Sequence, residues 1–150
     1  MTNEKGVLSL MSLHALMRAQ YWMYQTSHWQ AKGNSFYGDH LLFQRLYESM
    51  SEQVDTLAEK LVGIFGPEHV MMLESFKRTA FWVESWSQIE DLHERGLQSE
   101  KDFQRVVRET YDAMEEEGSL TLGLDDFLAA SASDHEANVY LLKQVLGNKT

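Results

Sequence analysis

The run Val7–Gln30, VLSLMSLHALMRAQYWMYQTSHWQ, contains neither glycine nor proline and is apolar on more than one face. Such a segment reads as a long helix packed on several sides, because a surface helix needs only one apolar stripe. The rest of the chain has the same periodicity. In residues 35–66, Phe43, Leu46, Met50, Val54, Leu57, Leu61 and Ile64 recur in steps of three and four. This predicts a second long helix, with Ser35 placed to cap its start and Gly66-Pro67 to stop it. A third helix is expected over 99–118. It opens at Ser99 and Asp102, close to a capping box, carries Phe103, Val106 or Val107, Thr110, Tyr111 and Met114 inward, and ends at Gly118. Leu124, Phe127, Leu128, Leu141, Leu142 and Val145 mark a fourth over 122–147. Between the second and third lies a looser stretch, 67–98, in which residues 81–96 are expected to hold a short helix. Sustained period-two alternation is missing, so strands are not expected. The prediction is an all-α domain over 1–150: a four-helix bundle with a long crossover between helices two and three.

Composition narrows the chemistry. There is no cysteine, so disulfides and thiolate metal sites are excluded, and any bound metal must use His, Asp and Glu. The N-terminus MTNEKGVLSLM has no basic segment followed by an apolar core of the signal-peptide kind. No apolar run is long enough to span a bilayer. A cytoplasmic protein without a membrane partner is therefore expected. Net charge is −10, from 23 acids against 13 lysines and arginines. That opposes nucleic-acid binding, which depends on neutralising phosphates, and is compatible with cations.

The candidate chemistry begins in SHWQAKGNSFYGDHLLF, residues 27–43. His28 and His40 each lie six residues from Asn34, at the middle of a Gly33-Asn34-Ser35 turn signal. The turn sets two imidazoles level with each other and offers no third or fourth ligand nearby. On helix two, Glu48, Glu52, Asp55 and Glu59 share one face. Alone, such a stripe is more often a solvated face. Asp55 and Glu59 nevertheless stand one turn apart and repel unless something positive sits between them; Lys60 or a metal ion would serve. His40 and Asp55 are fifteen residues apart on one helix, ~22 Å at ~1.5 Å per residue. Ligand bonds are near ~2 Å, so the histidines and the carboxylates of one chain cannot hold one ion. They form a single site only where two chains meet about a twofold axis, with helix two antiparallel to its mate. The symmetry then generates two identical sites.

These residues also carry a family resemblance. HWQAKGNSFYGDH, followed after fifteen residues from His40 by DTLAE, resembles the His-Trp … His … Asp-x-x-x-Glu signature of the Dps proteins, or miniferritins, of the ferritin-like superfamily. DHEANVYLLKQVLG is similar to their closing helix. The resemblance implies a hollow homo-oligomeric shell of twelve subunits with ferroxidase centres at twofold interfaces. There His28 and His40 of one subunit and Asp55 and Glu59 of its neighbour would serve as metal ligands and catalytic residues. It implies oxidation of ferrous iron, preferentially by hydrogen peroxide, and storage of the ferric mineral, with protection against oxidative stress. Imidazole and carboxylate suit that metal. Two departures stand out. Family members often have an acid one turn after the second histidine, where this chain has Gln44. DNA-binding members carry a basic tail, whereas here Lys5 is alone in the first seventeen residues and Lys143 and Lys149 are the cations near the end. The alternatives are a shell that binds metal with weak catalysis and a DNA-binding nucleoid protein; strong direct DNA binding is not expected.

Other residues carry weaker signals. Trp29 adjoins a proposed ligand and is equally suited to packing at an interface. Lys32 reads as solvated. Glu90-x-x-His93 is one motif where an intra-bundle di-iron site needs two plus two further glutamates, so no metal role is expected. His14, His69 and His135 read as surface or hydrogen-bonded core histidines, and the eight methionines as core filling. Glu115-Glu116-Glu117 reads as a solvated helix end, and Asp125 and Asp126 favour the start of helix four. The resemblance places Asp126 near a cation-admitting threefold pore.

Overall fold

The apolar run near the N-terminus becomes the helix on which the others pack. In the computed structural model, which describes residues 4–147, α1 (Glu4–Gln30) buries Leu10, Leu13, Leu16, Met17, Ala19 and Tyr24 and touches α2, α3 and α4. A helix that is apolar on several faces needs such surroundings. Lys149 lies outside the described residues.

A short turn, with Gly33 at φ 91°, reverses the chain into α2 (Phe36–Phe65). Phe43, Leu46, Met50, Leu57 and Leu61 are fully buried, as the stripe predicts, while Val54 is half-buried and Ile64 is exposed in the last turn. The two helices run antiparallel. His28 faces His40, Tyr21 faces Tyr47, and His14 reaches the Val54 carbonyl. On each helix the members of this seam are seven residues apart, about two turns, so they remain on one line.

Gly66, at φ 111°, ends α2, and Pro67 opens a short 3-10 turn (Pro67–Val70). The crossover then forms a full helix, α3 (Met72–Ser87), packed on α1 through Trp82 and Trp86. The Trp86 indole N–H donates to Asp102 at 2.8 Å. The crossover helix therefore starts nine residues earlier than expected, at 72 instead of 81.

The next helix, α4 (Leu92–Glu117), also begins earlier than its sequence suggested. Asp91 caps it, accepting from the backbone N–H groups of His93 and Glu94 at 2.9 and 3.0 Å. Ser99, expected as the cap, is buried inside the helix and donates to the Gly96 carbonyl instead. At the far end Gly118, at φ 74°, provides the left-handed residue that closes α4.

Helix α5 (Leu122–Gly147) completes the bundle against α4 and α2. The long helices α1, α2, α4 and α5 form the four-helix bundle, and α3 lies in the crossover. The described residues contain no strand, and no helix among them is long and apolar enough to cross a membrane. One of the three glutamates expected to be solvated has a structural partner. Glu117 accepts from the Gly6 backbone N–H at 3.0 Å and so satisfies an open donor at the start of α1.

Candidate metal centre

The turn between α1 and α2 stacks the two imidazoles. The rings of His28 and His40 lie 3.7 Å apart between centroids, inclined by 18°. Each is held by the other's backbone: His28 Nδ1 donates to the His40 carbonyl at 2.8 Å, and His40 Nδ1 donates to the His28 carbonyl at 2.9 Å. A carbonyl only accepts, so each Nδ1 carries a proton, and in the neutral tautomer this selects, Nε2 keeps the lone pair. Metal-binding histidines are oriented this way, by fixing the ring nitrogen that does not bind.

The surrounding residues brace the pair. Phe36 stacks on His40 at 4.9 Å, and Tyr47 meets the His28 ring edge-on at 5.3 Å. Ser35, placed to cap α2, instead donates its hydroxyl to Asp39 at 2.8 Å. Asp39 in turn accepts from His93 Nε2 at 3.0 Å, which ties the start of α2 to α4. His93 thus has a bracing role, while Glu90 of the same motif is exposed. Arg95 adds a second tie, donating to Ser27 and Gln30 at the end of α1. Gln44 is half-buried one turn after His40. Trp29 and Lys32 are exposed.

Asp55 and Glu59 are exposed on α2, and among the described residues neither forms an ion pair or hydrogen bond. Lys60 is turned away, its amine over the Phe127 ring at 6.0 Å. Among the described residues the two like charges, one turn apart, therefore form no ion pair, although Arg18 lines the groove of Asp55. Because α2 is one continuous helix from Phe36 to Phe65, the ~22 Å between His40 and Asp55 stands. Among the described residues no three His, Asp or Glu side chains converge as a metal centre requires. The structure brings the two histidines together and leaves the two carboxylates at the other end of the α1–α2 seam. Asp55 lies there in a groove with Arg18, Tyr21, Trp22 and Val54.

A second polar cluster, which sequence reasoning missed, lies inside the bundle. Glu100 is fully buried. It accepts from His135 Nδ1 at 2.6 Å, from the Tyr24 hydroxyl at 2.5 Å, and from Gln20 and Asn138 at 3.1 and 3.3 Å. His135 stacks on Phe103 at 3.5 Å, and its Nε2 faces Gln53 at 3.0 Å. The cluster draws on α1, α2, α4 and α5, and its members are too far apart in the chain to form a motif.

Burial, the Glu100 charge and the hydrogen bond to Glu100 push the Tyr24 phenol well above its ordinary value of 10.0. Below that value the phenol is protonated in both folded and unfolded chains. Above it the unfolded chain releases the proton while the folded chain retains it, so stability falls as pH rises. In an alkaline titration the phenolate absorbance of Tyr24 is expected only as the fold is lost. Tyr24→Phe should flatten the decline in stability above about pH 10. An unchanged alkaline limb in urea unfolding would contradict this.

The comparisons agree with the architecture. A family model of the ferritin-like domain matches residues 10–149. General stress protein 20U of Bacillus subtilis is 32% identical over 124 residues, covering 80% of this chain and 82% of that protein. The Dps structure from Thermosynechococcus elongatus superposes with a TM-score of 0.80 at 18% identity, over 97% of this chain and 92% of the other. The Dps protein of Vibrio cholerae O1, described as a member of a broad superfamily of ferritin-like diiron-carboxylate proteins, gives 0.80 at 17% identity over 97% and 91%. The chain belongs to the ferritin-like domain family and has the fold of the Dps proteins.

Proposed function

We propose that this protein oxidises ferrous iron, with hydrogen peroxide as the preferred oxidant, and holds the ferric product inside a shell of its own copies, twelve in the Dps arrangement. The centre is shared: His28 and His40 come from one subunit, and Asp55 and Glu59 from its twofold neighbour. The observation that carries this reading is the mutual Nδ1–carbonyl locking of the two stacked histidines, which leaves the Nε2 of each neutral ring as its open nitrogen. Two unpaired carboxylates at the other end of the same seam supply the complementary half. The iron-containing superfamily named for the Vibrio cholerae relative supports the choice of metal.

Exposed apolar side chains support association. Trp22, Trp29, Tyr37, Met72, Phe76 and Phe81 are each at least 60% exposed on α1, α2 and α3. Contiguous exposed apolar surface marks contact with another molecule, and Trp22, Met72 and Phe76 share one groove. A groove of about 520 Å³ between α1, α2 and α3, lined by His14, Trp22, Ala58, Met72 and Phe76, lies on that side. The charge of −10 favours cations over nucleic acid, so protection of DNA would come from removing iron and peroxide and not from binding it.

Anaerobic ferrous protein titrated with peroxide tests the reading. Half a mole of peroxide per mole of iron is expected, since peroxide accepts two electrons. Oxidation no faster than that of iron in buffer would overturn it.

A further inference from the structure

The proposed centre poses a problem of electron counting. Peroxide takes two electrons on its way to water, and each ferrous iron gives one. Gln44 stands one turn after His40 and brings no charge, so the centre favours one iron over two. A single iron acting alone would break the O–O bond with one electron and release hydroxyl radical.

An oxidisable side chain adjoins His28. Tyr47 lies one turn beyond Gln44 on α2, and its ring meets that of His28 edge-on at 5.3 Å, inclined by 64°. Tyr21 of α1 stands behind it at 5.8 Å. Both are half-buried. The order along the seam is His28–His40, then Tyr47–Tyr21, then His14 and Val54. Tyr21 also lines the groove that holds Asp55, the subunit's contribution to the neighbouring centre. The tyrosine pair therefore sits midway between the two half-sites of one subunit. Packing alone explains aromatic rings at a helix interface, but it does not require oxidisable ones in contact with a ligand histidine.

We propose that Tyr47, backed by Tyr21, gives the second electron of peroxide reduction when one iron occupies the centre. This inference rests on the iron-oxidising reading above. Hydrogen peroxide, one ferrous ion, the Tyr47 phenol and one proton from solvent give two waters, one ferric ion and a neutral tyrosyl radical. The O–O bond breaks; iron and the phenol lose one electron each, and the phenolic proton goes into water. The next ferrous ion and a proton restore the phenol, so two irons are still oxidised per peroxide. Tyr21 shares the radical, moving it away from the metal and towards the Asp55 groove.

The test uses the assembled protein loaded anaerobically with one ferrous ion per subunit, mixed with peroxide and frozen on the millisecond scale. Electron paramagnetic resonance should detect a tyrosyl radical in the wild type. Tyr47→Phe should lose that signal and raise spin-trapped hydroxyl radical several-fold per iron bound. Tyr47→Trp, which keeps an oxidisable ring, should keep hydroxyl radical low and change the signal to that of tryptophan. Tyr37→Phe, at an exposed tyrosine near the same turn, should behave as wild type. If wild type consumes peroxide with iron yet forms no tyrosyl radical, or if Tyr47→Phe leaves signal and trapping unchanged, the inference is overturned and the iron-oxidising reading survives. A wild type that consumes no peroxide with iron overturns both.

Discussion

Subunits carrying His28→Ala and subunits carrying Asp55→Ala are each expected to lose peroxide-dependent iron oxidation by about 10²-fold or more, since even the outer partners of a metal ligand contribute that much. Shells co-assembled from an equal mixture of the two should recover about a quarter of the wild-type rate. The reason is geometric. A shared centre takes its histidines from one chain and its carboxylates from another. It works in the mixture only when the histidine donor is an Asp55→Ala chain and the carboxylate donor is a His28→Ala chain. With random pairing each condition is met half the time. Co-expression of two differently tagged chains, tandem purification and an iron-oxidation assay give the measurement. A mixture as inactive as its parents would eliminate the shared centre. Full activity in either parent would eliminate the ligand assignment.

Removing Glu100 should have the largest effect on stability. Glu100→Ala removes the shared acceptor of His135, the Tyr24 hydroxyl, Gln20 and Asn138, all of them buried, and leaves Tyr24 only the longer contacts to Ser99 and the Gly96 carbonyl at 3.4 Å. Removing a buried, shared acceptor in this way costs about 3–5 kcal/mol, because the remaining partners stay desolvated. Glu100→Gln should cost less: it keeps one carbonyl for His135 but turns an amide N–H₂ towards the donors of Tyr24, Gln20 and Asn138. The measurement is the urea midpoint at neutral pH, with an unchanged slope as the sign that the unfolded state is not the cause. Both variants, while folded, should oxidise iron at the wild-type rate. A stable Glu100→Ala protein that no longer oxidises iron would mean that the core cluster belongs to the chemistry and not to the fold.

The helical plan was legible because periodicity is a local property. The stripe from Phe43 to Leu61 is buried where its spacing places it, save the half-buried Val54, and Gly66 and Gly118 end their helices as expected. The start of α4 was misread for an equally local reason. Ser99 and Asp91 are both plausible caps, and tertiary contacts decide between them. Asp91 accepts from the His93 and Glu94 backbone N–H groups, and the Tyr24 ring packs close over Gly96, one turn into the helix, where an added Cβ would come within 3.1 Å. Ile64 has the right spacing but is exposed in the last turn of α2.

The sequence by itself determined that this chain is helical, that His28 and His40 face each other across a turn, and that Asp55 and Glu59 cannot reach them on the same helix. These follow from residue type and from the fixed rise of an α-helix, which depends on nothing distant. Only the tertiary structure decided which imidazole nitrogen each histidine leaves open, since that depends on carbonyls twelve residues away. It also decided that Lys60 turns from the carboxylates to Phe127, that Tyr47 and Tyr21 line up behind His28, and that Glu100 meets His135 inside the bundle. Each of these joins residues on different helices, and what a side chain touches across a helix interface is set by packing, which no local pattern encodes.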